Sequence, residues 1–84
     1  MIKKVGIIVN YRKKSPVQVG KKLIEWFKKR DIAVYSTESD GAALEMDDSG
    51  ISSNLGDVVD CIITLGGDGT FLRAARIMAP YGIP

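Results

Sequence analysis

The sequence predicts an α/β domain built on an open, mostly parallel sheet with flanking helices, and three observations predict it. Residues 4–10 and 58–65 are short apolar runs rich in β-branched side chains, the pattern of strands buried on both faces in parallel sheets. A helical-period segment separates the first run from another at residues 32–37, so strand, helix and strand follow within about 35 residues as a βαβ unit. Finally, a glycine-rich turn, Gly66-Gly67-Asp68-Gly69, joins the last strand to a further helix.

The elements follow in order. Lys4-Val5-Gly6-Ile7-Ile8-Val9-Asn10 is the first strand, and residues 11–14 form a polar loop. Ser15-Pro16 carries a helix start, with serine as capping acceptor and proline pre-setting the first turn. From there to Arg30 the spacing is helical. Val19, Leu23, Ile24, Trp26 and Phe27 share one half of the wheel, opposite Lys21, Lys22, Glu25, Lys28 and Lys29. This spacing assigns Trp26 to core packing, and Gly20 on the apolar side permits close approach to a sheet. Residues 32–37 form the second strand. Residues 38–57, acidic and rich in Gly and Ser, are expected to be a solvated loop with a short helix near 42–46. Glu45, Asp47 and Asp48 within it read as solvated charges rather than a metal site. Residues 58–65 form the third strand, with Cys61 an inert buried thiol. Residues 71–78 are helical, and Pro80-Tyr81-Gly82-Ile83-Pro84 ends that helix and begins a fourth strand.

Composition narrows the chemistry. The chain has 84 residues, 45% of them apolar and 7% aromatic, with a net charge of +2. Apolar runs fall far short of the roughly 20 residues needed to span a bilayer. The N-terminus carries no apolar signal core, which points to the cytoplasm. With no histidine and one cysteine, imidazole catalysis, an internal disulfide and a structural zinc site are all excluded. Catalysis would rest on carboxylates, hydroxyls, backbone amides and bound metal. The small net charge hides an asymmetry, with basic side chains concentrated before residue 31 and acidic ones between 31 and 60. Most of the basic charges form the outer face of the first helix with no aromatics interleaved for base stacking, so no nucleic-acid partner is expected.

The glycine turn carries the one chemical motif. Glycines at the carboxyl end of a buried strand admit a ligand close to the backbone, and the following helix offers free N–H groups to phosphate. A dinucleotide fingerprint fails because Leu72 stands where its third glycine belongs, and a Walker-A loop fails because Gly69 is followed by Thr70-Phe71. The distinctive residue is Asp68. It could hold Mg²⁺, accept a hydrogen bond or proton from a hydroxyl, or simply cap the next helix. The two leading glycines, the preceding buried strand and a helix taken to be capped by threonine favour a chemical role.

Gly66-Gly67-Asp68-Gly69-Thr70, extended by Phe71-Leu72-Arg73-Ala74-Ala75-Arg76, resembles the signature segment of the NAD kinases, also called inorganic polyphosphate/ATP-NAD kinases. The Gly-Ile-Ile-Val strand, the polar loop and amphipathic helix after it, and Tyr81-Gly82-Ile83-Pro84 agree with that pattern. The five-residue core is shared with diacylglycerol-kinase-like and phosphofructokinase-like enzymes; the extension through Arg76 selects the NAD kinases. The resemblance implies a Rossmann-like, phosphofructokinase-like N-terminal domain. It implies phosphorylation of the adenosine ribose 2′-hydroxyl of NAD by ATP or polyphosphate, with Mg²⁺ or another divalent cation, in a homo-oligomer. Asp68 matches the proton acceptor for that hydroxyl, Asp68 and Gly69 a contact to NAD, and Arg73 another NAD-binding position. Gly66, Gly67 and Thr70 complete the phosphate-facing turn, and no protein metal ligand is assigned.

Family members continue into a downstream Asn-Glu/Asp motif and a β-rich C-terminal domain. Residues 1–84 are therefore expected to be a partial, truncated N-terminal domain, inactive alone. The alternatives are a lipid or sugar-phosphate kinase of the same superfamily, or a non-catalytic nucleotide-binding remnant.

Overall fold

The computed structural model describes residues 3–79. Strands β1 (Lys4–Val9), β2 (Ala33–Tyr35) and β3 (Cys61–Leu65) form a parallel sheet in the order β2-β1-β3. Helices α1 (Lys14–Lys28), α2 (Glu38–Ala43), α3 (Leu55–Val58) and α4 (Asp68–Met78) surround it, with a 3₁₀ turn at Asp48–Gly50. The fourth strand expected at residues 81–84 lies outside the described residues.

Residues 5–9 of the central strand are all buried, as a strand covered on both faces requires. Its side chains alternate between two cores. Val5, Ile7 and Val9 pack with Ile24 and Phe27 of α1 and with Leu44. Ile8, on the other face, packs with Leu55 of α3, with Val59 just after it, and with Ala74 and Met78 of α4. Gly6 shares that second face: a Cβ there would stand 2.4 Å from the Ile62 side chain.

Helix α1 begins one residue before Ser15 and gains no side-chain cap. Asn10 closes the turn instead. Its side-chain Oδ1 accepts the Arg12 N–H at 3.2 Å, and its carbonyl accepts the Lys13 N–H at 3.2 Å. Ser15 therefore falls inside the first turn, where Pro16 still lacks only an N–H that has no helical partner. The helix ends at Lys28 rather than Arg30, because Asp31 adopts φ 57° and Ile32 N–H returns to Phe27 O at 3.0 Å, a Schellman-type closure.

Gly20, Ile24 and Phe27 form the buried stripe of α1, and Val19 and Trp26 do not join it: they remain 46% and 47% exposed. At 100° per residue both stand roughly 110–130° from the centre of that stripe, so half a wheel was too generous a core face. Trp26 packs edge-on against Phe27 at 5.2 Å, with the Arg30 guanidinium 3.6 Å over its ring. The close approach at Gly20 is mainly to Leu44, whose side chain would lie 2.6 Å from a Cβ, while Leu65 of the sheet lies at an ordinary 3.5 Å.

Residues 38–57 are more structured than a solvated loop. The short helix lies at Glu38–Ala43, earlier than residues 42–46, because Thr37 accepts the Asp40 N–H at its start and Glu45 adopts φ 57° past its end. β2 gives way at Ser36, whose hydroxyl donates to Ile7 O at 2.6 Å while its backbone bridges to Ile51. β3 starts later than residue 58. Val58 closes α3, Val59 is buried against the second core, and the Asp60 carboxylate accepts the Lys3 and Lys4 N–H groups at 2.9 Å each. These two bonds hold the Asp60 carboxyl below its ordinary pKa. Cys61 is half-buried rather than fully so, and burial together with nearby Asp60 pushes its thiol upward, away from reactive thiolate.

Candidate functional site at the carboxyl ends of the strands

The chain runs from β1 to β2 on one side and returns to β3 on the other, so the strand order reverses between the carboxyl ends of β1 and β3. Open α/β sheets bind their ligands at such a point. Here a groove of about 340 Å³ opens, lined by Val9, Asn10, Tyr11 and Arg12 after β1 and by Gly69, Thr70 and Arg73 after β3. Three of the six residues expected from sequence therefore line one groove. Gly66, Gly67 and Asp68 precede them on the same turn and are exposed.

Each glycine of the turn has a distinct reason. Gly66 has φ 145°, and a Cβ there would stand 2.7 Å from Thr70 Oγ1 and 2.8 Å from Asn10 Cβ. The fold itself requires glycine at that position. Gly67 and Gly69 are different: a Cβ at either would meet nothing within 4 Å. Nothing among the described residues demands their small size, which leaves room for a ligand beside the turn.

Gly67 is the capping residue of α4, and its carbonyl accepts the Thr70 and Phe71 N–H groups at 3.1 and 3.2 Å. Asp68 is the first helical residue and caps nothing, so the capping role is ruled out. The helix is not capped by a threonine side chain either: Thr70 is buried within the first turn. The Asp68 carboxylate is exposed and accepts no hydrogen bond from the described residues. It sits beside N–H groups at the positive end of an eleven-residue helix.

Arg73 occupies the groove floor as part of a network. Its Nη1 and Nη2 donate to Asp40 Oδ2 and Oδ1, both at 2.8 Å, and Nη2 also donates to Val9 O at 2.9 Å. The Tyr11 ring lies 5.5 Å from the guanidinium carbon. Asp40 is wholly buried and accepts two more hydrogen bonds, from Val9 N–H at 3.2 Å and from the Thr37 hydroxyl. Burial alone would raise its pKa. The hydrogen bonds from Arg73, Thr37 and Val9, with the charge of Arg73, overcome that and hold the carboxyl below its ordinary value.

Sequence reasoning missed Asp40, which it left among the solvated acids. A signal was present, since Thr37-x-x-Asp40 is a capping-box spacing. It also left Asn10, Tyr11 and Arg12 as an anonymous polar loop. Glu45 pairs with Lys21 at 2.7 Å, and among the described residues no three acidic, cysteine or histidine side chains gather to hold a metal. Among them, too, no helix is long and apolar enough to cross a membrane. A second groove of about 620 Å³ between α1 and residues 44–50 contains none of the expected site residues.

An open parallel sheet with a glycine-rich turn and an exposed carboxylate at its switch point defines an α/β domain with its candidate site at the carboxyl ends of the strands. Comparison with known proteins makes this specific: residues 5–84 match the ATP-NAD kinase N-terminal domain, and the chain belongs to that family. It is 38% identical over 84 residues to an NAD kinase of Natranaerobius thermophilus and equally so to one of Thermoanaerobacter sp. strain X514. An NAD kinase of Moorella thermoacetica is 30% identical over 83 residues. Each alignment covers 99% of this chain but only 29%, 30% and 27% of the respective relative, so the chain spans less than a third of their length.

Proposed function

We propose that this domain supplies the catalytic turn of an NAD kinase, which transfers a phosphoryl group from ATP or polyphosphate to the adenosine ribose 2′-hydroxyl of NAD. The observation that carries the reading is Asp68: an exposed carboxylate without a partner among the described residues, between two glycines whose missing side chains serve no internal packing.

In this reading Asp68 aligns the 2′-hydroxyl and accepts its proton as the new O–P bond forms, the donor's terminal P–O–P linkage breaks and ADP or the shortened polyphosphate leaves. The backbone at Gly66, Gly67 and Gly69 lets the nucleotide approach, and the first turn of α4, which runs from Asp68 through Thr70, favours its negative charge. Arg73 gives directed hydrogen bonds from the groove floor. A divalent cation such as Mg²⁺, carried on the donor, would supply charge neutralisation of the phosphates; Asp40 is already taken up by Arg73, Thr37 and Val9, so Asp68 is the carboxylate at the turn that would face it. The family match and the names of the relatives support NAD as acceptor over a lipid or a sugar phosphate. We read the enzyme as cytoplasmic and homo-oligomeric, with nucleotides rather than nucleic acid or membrane as partners.

The test is to incubate the full-length gene product with NAD, Mg²⁺ and either ATP or polyphosphate, then identify the product. The expected product is NADP phosphorylated at the 2′ position. Phosphorylation of a lipid or sugar phosphate but not of NAD would overturn the reading. The same assay on residues 1–84 alone is expected to give no NADP above background.

A further inference from the structure

We propose that Asp40 is a positioning residue of the nucleotide site, acting through Arg73; the inference deepens the reading above and rests on it. Asp40 is 0% exposed and cannot itself touch a ligand. Its carboxylate reaches the groove only by way of the guanidinium. Arg73, with 35% of its side chain exposed, lines the groove and turns both Nη atoms back onto Asp40 at 2.8 Å. With the bond to Val9 O, three of its five N–H groups point into the protein. The other two, on Nη1 and Nε, have no acceptor among the described residues.

Two consequences follow. First, the side chain is fixed before a ligand arrives, so binding does not have to order it. Second, a guanidinium matched to a carboxylate adds little net charge to the groove. It recognises phosphate or ribose oxygens by direction rather than by bulk attraction. Asp40 is held in turn by Thr37, whose hydroxyl donates to it, and by the end of β1 through Val9 N–H. The chain Thr37–Asp40–Arg73 thus transmits the position of β1 and α2 to the groove floor. Loss of the Asp40 charge should loosen NAD while sparing the phosphoryl step, which belongs to Asp68.

The test uses the full-length gene product, with steady-state kinetics and calorimetric titration of NAD. Asp40→Asn is expected to raise KM and Kd for NAD about tenfold, the value of a charge-assisted hydrogen bond. The donor KM and kcat should stay within about twofold. Thr37→Val keeps the ion pair but removes the hydroxyl's bond to the Asp40 carboxylate together with its cap on α2, so a rise of about threefold is expected, and Thr37→Ser, which keeps both, should restore the wild-type value. Adding Asp40→Asn to Arg73→Lys should raise KM for NAD no further, because both act through one group. If Asp40→Asn does not fold, the Thr37 pair decides. An active wild type whose Asp40→Asn and Thr37→Val variants keep their NAD affinity overturns the inference alone. So does a loss in which kcat and thermal stability fall while both KM values rise together, the mark of a purely structural role. A wild type that does not phosphorylate NAD overturns the functional reading, and this inference with it.

Discussion

Asp40 and Arg73 lie 33 residues apart and meet as a two-point ion pair, each N···O distance 2.8 Å, with the carboxylate sealed from solvent and the guanidinium open to a groove. The pair ties α2 to α4 across the end of β1. It joins the two faces of the sheet at the place where the strands deliver their ligand-facing loops.

Removing the arginine should therefore cost more than removing the carboxylate's charge. Arg73→Ala leaves a buried, ionised Asp40 without its main partner, a loss of about 3 kcal/mol in urea denaturation. Asp40→Asn should cost less. The pH dependence follows from the lowered Asp40 pKa. A depressed carboxyl contributes stability that is fully present above the unfolded value of about 3.8 and is lost as pH falls through the folded value beneath it. The stability gap between wild type and Asp40→Asn should be flat from about pH 5 to 8 and narrow below about pH 4. A gap that widens on acidification would contradict the assignment.

The glycines of the turn should separate stability from activity. Gly66→Ala meets Thr70 and Asn10 at a φ that side chains avoid, and should destabilise by about 2 kcal/mol or more. Gly67→Ala meets no atom of the described residues within 4 Å. Its melting temperature should stay near that of the wild type while NAD turnover falls at least about tenfold, because the new methyl occupies ligand space. Equal thermal losses for both variants would show that Gly67 serves the fold.

Trp26 and Phe27, adjacent in sequence, should behave differently. Phe27 is in the core, so Phe27→Ala should cost about 3–5 kcal/mol in chemical denaturation. Trp26 is half exposed and held by Arg30 and the edge of Phe27, so Trp26→Ala should cost about 1 kcal/mol. Comparable losses would return Trp26 to the core.

What the sequence showed and hid follows from the range of the forces involved. β1 was legible because two-sided burial leaves a continuous apolar run, and the glycine turn because its residues are contiguous. Strand and helix limits shifted where a side chain intervened: Asn10 closed the turn before α1, Ser36 ended β2 and Asp60 delayed β3. Trp26 was misplaced because composition does not fix where on the wheel the sheet lies. Asp40 was hidden for a different reason. A buried carboxylate and a solvated one look alike in a sequence until the partner, here Arg73, is known to fold back onto it.

If Asp68 takes the proton of the 2′-hydroxyl, Asp68→Asn in the full-length gene product should lose turnover and little else. Asparagine keeps the shape and removes the accepting charge, and the residue is exposed and caps nothing, so folding should be unchanged by circular dichroism and thermal melting. With Mg²⁺ and donor fixed, kcat should fall by about 10²–10⁴-fold while KM for NAD moves little. A variant that folds normally and retains near-wild-type kcat would contradict the catalytic role of Asp68.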